Sequence, residues 1–300
     1  MLKKLLITGS SGMLGSNLVS EIGDRYEISG LYRNCPNPEL KNQFKVDITD
    51  HKGLENVVNL AKPDFLVHTA ALTNVDACEK NFKLARATNS LATRDLASIL
   101  KPFGTKFIYI STESIFDGKK GNYDESDVPR PINNYAKTKH EGEMFIEGLS
   151  DNFVIIRTTI FGWNRVKESG SFAEWVYKSL REKKPIKMFT DVIFSPITVN
   201  TLSLLIDRLL QMDFTGTLNI GSNDSVSKYR FGISLAELFG FDKSYITPIS
   251  VDTFEFTAKR PKNLSLNVSK AEDVLGPLPT VEDEIRVFYE KKKGLARLGC

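Results

Sequence analysis

Residues 3–15, KKLLITGSSGMLG, join a short apolar run to a glycine-rich turn. Lys3 to Thr8 is typical of a short buried strand, and the apolar residues at 14, 18, 19 and 22 have the spacing of one helix face. Such a turn makes an anion site, because glycine lets the backbone approach a pyrophosphate and the helix N-terminus supplies free N–H groups. The spacing Gly-x-x-Gly-x-x-Gly differs from the usual Gly-x-Gly-x-x-Gly, and a plain strand-to-helix turn is the alternative.

Strands and helices alternate from this segment through residue 160. Helices are predicted between the strands, including a long one over Leu84–Leu100. The alternation predicts an α/β protein with a Rossmann-type doubly wound parallel sheet. The strands predicted after the first are Glu27–Tyr32, Phe44–Val46, Phe65–Thr69, Lys106–Ile110 and Asn152–Thr158.

The alternation weakens beyond residue 160, which sets the predicted division of the chain. We expect a Rossmann domain over residues 1–160, to which residues 192–222 return. Residues 161–191 and 223–300 would form a smaller C-terminal α/β substrate-binding lobe, because a ligand at the sheet edge must be covered by whatever follows the sheet.

Composition and charge exclude several classes of function. Of 300 residues, 41% are hydrophobic, and the net charge of +3 is not gathered into the basic, aromatic-rich stripe of a nucleic-acid-binding protein. No apolar run approaches the roughly 18 residues of a membrane span, and the first apolar run is too short for a signal-peptide core. We therefore expect a cytoplasmic protein that binds neither nucleic acid nor membrane.

The cysteines and histidines give no sign of a metal centre. Cys35, Cys78 and Cys300 are odd in number and widely separated, which suits neither a disulfide framework nor zinc and favours a reducing cytoplasm. The three histidines form no ligand cluster, so no catalytic metal is expected.

Three features along the first half of the chain favour a dinucleotide. Arg33 follows the second strand, where an acidic residue would bind a ribose 2′-hydroxyl and an arginine suits the 2′-phosphate of NADPH. The alternative is that Arg33 is an ordinary surface residue. Asp47 ends the third strand, and the small residues Ala70 and Ala71 after the fourth would let a cofactor lie close.

The segment Pro131–Lys139, PINNYAKTK, carries the candidate proton donor. An asparagine, 133 or 134, can cap the helix that follows, which places Tyr135 and Lys139 one turn apart on one face. An ammonium beside a phenol should lower the pKa of Tyr135 from about 10 toward working pH and make it a general acid or base. A second such pair, Tyr289 and Lys293, is interpreted as a solvated helix face.

Taken together, these motifs resemble an extended short-chain dehydrogenase/reductase. The broad resemblance rests on Gly9, Gly12, Gly15, Asp47, Ala70, Ala71, Asn89, Ser111, Thr112, Tyr135 and Lys139. The chain is more narrowly similar to the dTDP-4-dehydrorhamnose reductase family. That similarity rests on Asn74–Glu79, Ile110–Gly118, Ser195–Thr198 and Arg260–Pro261 with the leucines that follow.

The resemblance implies a role for each matching position. Tyr135 would protonate the substrate oxygen, and Thr112 would hydrogen-bond the keto oxygen. Lys139 would hold the nicotinamide ribose and tune Tyr135, and Asn89 would support the proton path through Lys139. NADP is the expected cofactor, with NAD as the alternative. The implied cofactor-binding residues are Gly9, Ser11, Gly12, Met13, Leu14, Gly15, Arg33, Asp47, Ile48, Ala70, Ala71, Tyr135 and Lys139. The implied substrate-binding residues are Thr112, Glu113, Trp163 and Arg260.

The implied reaction is NAD(P)H-dependent reduction of the 4-keto group of a nucleotide-linked 4-keto-6-deoxy sugar. An epimerase of the same fold is an alternative, but it needs a further acid/base pair, and no Cys or His lies near Thr112 or the 161–172 loop. A second alternative is a regulatory NADP-binding role, like that of the methionine adenosyltransferase β subunit. The resemblance also allows a homodimer.

Two departures from the family pattern leave the sugar and the nucleotide base open. The family usually has Ser-Thr-Asp and then an aromatic residue where this chain has Ser111-Thr112-Glu113-Ser114. The segment 161–167 is unusually basic, which could favour a diphosphate or be a solvated loop. Of the residues near it, Phe172 and Trp175 are interpreted as core, whereas Pro261 should hold Arg260 in a loop facing the substrate.

Overall fold

The computed structural model describes residues 1–166, 170–295 and 298. Its centre is a seven-stranded parallel sheet covered by helices on both faces, so the predicted α/β, doubly wound class is confirmed. The strands are nearly continuous apolar runs, as expected when both faces of a sheet are buried. Numbered in chain order over the whole protein, they are β1 (Lys4–Thr8), β2 (Glu27–Tyr32), β3 (Asn42–Lys45), β4 (Phe65–His68), β5 (Lys106–Ile110), β6 (Phe153–Arg157) and β11 (Gly216–Asn219).

The strand order is β3-β2-β1-β4-β5-β6-β11. The order reverses between β1 and β4, so the connections that leave these two strands run to opposite sides of the sheet. Such a reversal opens a crevice at the carboxyl edge of a parallel sheet, and ligands of doubly wound proteins bind there. The glycine-rich turn after β1 therefore lies at this crevice.

Helices cover both faces of the sheet. α1 (Met13–Ile22) and α8 (Val199–Gln211) pack on one face, and their apolar residues form a single cluster with β1 and β6. α2 (His51–Ala61), α5 (Ala92–Leu100) and α6 (Asn134–Leu149) cover the other face. Two short helices, α3 (Val75–Lys80) and α4 (Phe82–Arg86), precede α5.

The long helix predicted over Leu84–Leu100 is not continuous. A π-helical turn at Ala87–Leu91 separates α4 from α5. A π turn widens the backbone by one residue and is found mostly at functional sites. The periodicity of the sequence could not predict it, because the apolar spacing continues on both sides of the turn.

Parts of the chain after β6 build a second lobe with its own apolar cluster, whose buried residues include Phe161, Leu180, Met188, Phe231 and Phe288. Its strands pair only in twos. The strands outside the large sheet are β7 (Thr159–Phe161), β8 (Ile186–Phe189), β9 (Ile193–Phe194), β10 (Pro196–Thr198), β12 (Val226–Ser227) and β13 (Ile246–Ile249). The remaining helices are α7 (Phe172–Arg181), α9 (Lys228–Phe239), α10 (Ser269–Leu275) and α11 (Val281–Lys293).

The cysteines depart from the sequence-based expectation. Cys35 is disulfide-bonded, which the wide cysteine spacing did not predict, and Cys78 is a buried free thiol. Cys300 lies outside the described residues. In the described part of the chain, no helix has both the length and the apolar character that a membrane crossing requires.

A buried ion pair fastens the elements that surround the crevice. Glu143, on the inner face of α6, accepts hydrogen bonds from Arg157 at the end of β6, the shortest at 2.9 Å, and both side chains are almost fully buried. Ser111, just after β5, donates to the same carboxylate at 2.5 Å. One carboxylate thus fixes the spacing of β5, α6 and β6.

We expect Arg157→Met to destabilise the fold strongly, because it leaves the carboxylate of Glu143 buried without its cation. Removing one partner of a buried pair costs roughly 3–5 kcal/mol. Urea unfolding measures the change. Arg286→Met is the matched control, since Arg286 pairs with Glu282 on the exposed face of α11. Equal unfolding midpoints for the two variants would contradict this role for the buried pair.

Candidate active site

Tyr135 and Lys139 lie one turn apart at the start of α6, because the helix begins directly before them. Asn133 caps it: the side-chain oxygen accepts a hydrogen bond from the backbone N–H of Ala136 at 2.9 Å. Both side chains line a cavity of about 780 Å³ at the carboxyl edge of the sheet. Thr112, which follows β5, lines the same cavity, so the structure brings these three predicted catalytic residues together.

The sequence predicts a lowered pKa for Tyr135, but in the structure this pKa is raised. Burial is the main cause, and the negative charge of Glu113 adds to it, while a hydrogen bond with Thr112 opposes the shift. The prediction of a lowered pKa for Tyr135 is therefore wrong. A phenol with a raised pKa stays protonated, so Tyr135 is set to donate a proton rather than to accept one.

Lys139 does not lower the pKa of Tyr135 as predicted, because burial destabilises the charged form of Lys139 itself. Its Nζ lies 3.9 Å from the centre of the Tyr109 ring. Burial lowers the pKa of Lys139 to about 7, although the charge of Glu143 opposes the shift. Near neutral pH the ammonium is therefore only partly populated, and it does not stabilise a Tyr135 phenolate.

Asn89 lies in the π turn and joins two parts of the crevice. Its side-chain oxygen accepts from the backbone N–H of Leu72 at 2.8 Å, and its amide nitrogen donates to the hydroxyl of Thr138 at 3.1 Å. Leu72 follows the Ala70–Ala71 pair, and Thr138 precedes Lys139. Asn89 therefore fixes the position of Lys139 through the backbone of α6.

The glycine turn has the geometry that a pyrophosphate needs. Gly9 has a left-handed φ of +68°, and a side chain there would meet Ala70 and Thr69 at about 3 Å. A Cβ on Gly15 would lie 2.3 Å from the carbonyl oxygen of Gly9. No side chain caps the N-terminus of α1, so the first N–H groups of the helix are available to an anion. Met13 and Leu14, in this first turn, line the same cavity as Tyr135.

A second cavity, of about 180 Å³, lies on the other side of the glycine turn. Most of the residues predicted to bind the far end of a dinucleotide line it, namely Gly9, Ser11, Arg33, Ile48, Ala70 and Ala71. Asp47 does not: its carboxylate accepts from the backbone and hydroxyl of Thr49 at 2.9 and 2.7 Å. The structure thus brings Arg33 to this cavity and turns Asp47 toward its own loop.

The four residues predicted to bind substrate do not all meet. Glu113 lines the large cavity beside Thr112, whose hydroxyl donates to it at 3.2 Å. Trp163 is instead a core residue, stacked on Phe288 with ring centres 4.1 Å apart. Arg260 forms a salt bridge with Asp76 at 2.8 Å and does not line the large cavity. Lys167, in the basic segment, lies outside the described residues. The prediction that Phe172 and Trp175 are core residues is wrong, because Trp175 is exposed and Phe172 lines the large cavity.

Sequence reasoning missed two polar groups, of which the first lines the cavity. Thr158, directly after β6, lines the cavity, and its buried hydroxyl has no partner among the described residues. The rule that ligands bind at the carboxyl ends of parallel strands could have found it. Lys228, the first residue of α9, carries a charge that acts on Glu113. No sequence motif pointed to this lysine, because it comes from the second lobe.

Comparison with known proteins gives the family of the chain. The family model of the RmlD substrate binding domain matches residues 3–293. A probable low-salt glycan biosynthesis reductase of Haloferax volcanii is 30% identical over 93% of this chain and 95% of its own. The rat methionine adenosyltransferase 2 subunit beta is 27% identical over 90% of this chain and 82% of its own.

A solved structure agrees with these sequence matches. The dTDP-4-dehydrorhamnose reductase of Bacillus anthracis, solved in complex with NADP, has a TM-score of 0.86 and 28% identity, and the match covers 97% of this chain and all of that one. The resemblance drawn from the motifs is therefore confirmed. The chain belongs to the RmlD substrate-binding-domain family of extended short-chain dehydrogenases/reductases.

Proposed function

We propose that the protein is an NADP-dependent oxidoreductase that reduces the 4-keto group of a nucleotide-linked 4-keto-6-deoxy sugar. One observation carries this proposal: the first turn of α1, Thr112, Tyr135 and Lys139 all line one cavity. A cofactor bound across the glycine turn and a carbonyl held by Thr112 and Tyr135 would therefore share one cavity. The relatives described above include reductases and a structure that contains NADP, which agrees with this chemistry.

Each step of the reduction has a residue suited to it. Bound NADPH supplies a hydride for the carbonyl carbon. The Thr112 hydroxyl hydrogen-bonds the carbonyl oxygen, and Tyr135 transfers its phenolic proton to that oxygen as charge develops on it. Lys139 contributes a partly charged amine on the same helix face, from which the phenolate can be reprotonated.

The cofactor and the assembly are further parts of the proposal. Arg33 would bind the 2′-phosphate, which makes NADP the preferred cofactor over NAD. We retain the division into residues 1–160 with 192–222 and residues 161–191 with 223–300 as a proposal. A cytoplasmic location, a homodimer and a nucleotide-sugar as the partner remain predictions.

A regulatory subunit is a second candidate, favoured by the similarity to the rat methionine adenosyltransferase 2 subunit beta. Oxidation of NADPH in the presence of dTDP-, GDP- and UDP-linked 4-keto-6-deoxy sugars, with product analysis, separates the two. Turnover with any of these sugars supports the reductase. No turnover together with capture of a partner enzyme would favour the regulatory role.

Tyr135→Phe should lower kcat by about 10²–10⁴-fold, because it removes the proton donor but keeps the ring. NADP affinity should change little, since the lost hydroxyl serves the reacting oxygen. Steady-state NADPH oxidation and a fluorescence titration with NADP measure the two effects.

Tyr289→Phe is the matched control for this variant. Tyr289 packs edge-on against Phe239 in the second lobe, and it does not line the large cavity. It should leave kcat unchanged. Full activity of Tyr135→Phe would show that another group donates the proton.

Arg33→Ala should weaken NADP binding by roughly 10–100-fold and leave NAD binding nearly unchanged, because only NADP carries the 2′-phosphate. Isothermal titration with both cofactors measures the ratio of the two affinities. Arg286→Ala, on the exposed face of α11, is the control. If the wild-type protein bound NAD and NADP equally, Arg33 would be an ordinary surface residue.

A further inference from the structure

A third cavity, of about 600 Å³, is lined mainly by residues of α7 and by the end of α11. Its volume lies within the range of small-molecule binding sites, roughly 300–1,000 Å³. Among the described residues, Gly170 is the only one that lines both this cavity and the large one. None of the proposed catalytic residues lines it, so the proposed reduction leaves this cavity without a role.

The wall of this cavity contains three aromatic side chains, Trp163, Trp175 and Tyr177. Trp163 is fixed, because its ring stacks on Phe288 and its Nε1 donates to the Phe288 carbonyl at 2.7 Å. Tyr177 stands edge-on to Trp163, with ring centres 5.1 Å apart. Trp175 is 44% exposed, although tryptophan is usually highly buried. An exposed indole on a rigid wall offers a flat surface on which a planar ligand can stack.

Three cationic side chains line the same cavity: Lys178 and Arg181 on α7, and Lys292 on α11. The Nζ of Lys292 lies 5.5 Å from the centre of the Trp163 ring, and the guanidinium of Arg181 lies 5.7 Å from the centre of the Tyr177 ring. In the part of the chain that the structure describes, none of the three cations forms a salt bridge with a carboxylate. Their positive charges are therefore available to an anion.

The nearby carboxylates are engaged elsewhere. Glu174 is the acidic residue of the described lining, and its two oxygens accept hydrogen bonds from the backbone N–H groups of Asn164 at 3.1 Å and Ser171 at 2.9 Å. Glu182, next to Arg181, pairs with Lys184 at 2.7 Å. Three positive charges and one negative charge leave the described lining with a net charge of +2.

Helix ends account for only part of this arrangement. Lys178 and Arg181 lie in the last turn of α7, and Lys292 lies in the last turn of α11. The partial negative charge of a helix C-terminus favours a cation there. This effect explains why each helix ends in basic residues. It does not explain why cations from two helices line one cavity together with an exposed tryptophan.

We propose that this cavity is a further nucleotide-binding site, in which Trp175 stacks on the base and the three cations bind the phosphates. Arginine binds phosphate oxygens through parallel N–H groups, and lysine binds them as a point charge. An anion without a ring would leave the indole unused, and a neutral aromatic ligand would leave the cations unused. The site goes beyond the proposed reductase function, and its test needs no turnover.

Tryptophan fluorescence reports on this cavity directly, because both tryptophans of the chain line it. The probe is ADP, titrated with NADP already saturating the crevice beside the glycine turn. ADP should change the emission saturably, with one ADP per chain in isothermal titration. Adenosine, which lacks phosphate, should bind about 10–100-fold more weakly. Pyrophosphate, which lacks a base, should bind about 5–150-fold more weakly. Equal affinities for pyrophosphate and ADP would contradict the proposal.

Three single variants locate the site. Arg181→Gln and Lys292→Gln should each weaken ADP binding by about 10–100-fold, and Trp175→Ala by about 5–150-fold. These side chains are exposed or half-buried, so the variants should fold, which circular dichroism checks. Arg286→Gln is the matched control, because Arg286 lies on the same helix as Lys292 but pairs with Glu282 at 2.7 Å. Unchanged ADP affinity in Arg181→Gln and Lys292→Gln would overturn the site.

NADP itself contains an adenosine diphosphate, so it provides a second arm of the test. Binding of two NADP per chain, with one of the two lost in Arg181→Gln, would also support the site. If neither ADP nor a second NADP bound to the wild-type protein, the proposal would fail. The outcome is independent of the reductase proposal: a protein that binds ADP here but reduces no keto sugar would contradict only the proposed function.

Discussion

The buried ion pair between Glu143 and Arg157 is the interaction on which the site depends most. It joins α6 to β6, and through Ser111 it also reaches the end of β5. Burial alone would raise the pKa of Glu143, but hydrogen bonds from His140 and the charge of Arg157 lower it overall. Glu143 therefore stays ionised, and its negative charge opposes the loss of charge on Lys139. One carboxylate thus sets both the geometry of the site and part of its electrostatics.

Burial, more than any pairwise contact, decides how the polar groups around this carboxylate titrate. His68, which lies between the hydroxyls of Thr8 and Thr93, is fully enclosed, and burial together with Lys139 lowers its pKa to about 3. It is therefore a neutral structural residue. Tyr135 and Lys139 are shifted in the directions that disfavour their charged forms. The raised pKa of Tyr135 thus keeps the proton on the phenol, which is the form that a carbonyl reduction needs.

The sequence was most informative where a short-range rule applied. β2 and β5 have the predicted bounds, because in each an apolar run ends at a polar boundary. The helix cap at Asn133 was likewise predicted from residues that are adjacent in the chain. Prediction failed where the partner is distant in the chain. Trp163 packs on Phe288, 125 residues later, and Arg260 pairs with Asp76, 184 residues earlier. The direction of the Tyr135 pKa shift also needed burial, which no spacing in the sequence reveals.

Contacts between residues that are far apart in the sequence also explain why the substrate is harder to predict than the fold. The glycine turn, Tyr135 and Lys139 come from the Rossmann half, where motif spacing is short and informative. The large cavity is also lined by residues after β6, where the strands outside the large sheet pair only in twos and few motifs exist. Phe172, the first residue of α7, lines the same cavity as Glu113, although 59 residues separate them in the chain. The surface that a substrate would meet is therefore assembled from distant segments, and motif spacing within one segment does not predict how they come together.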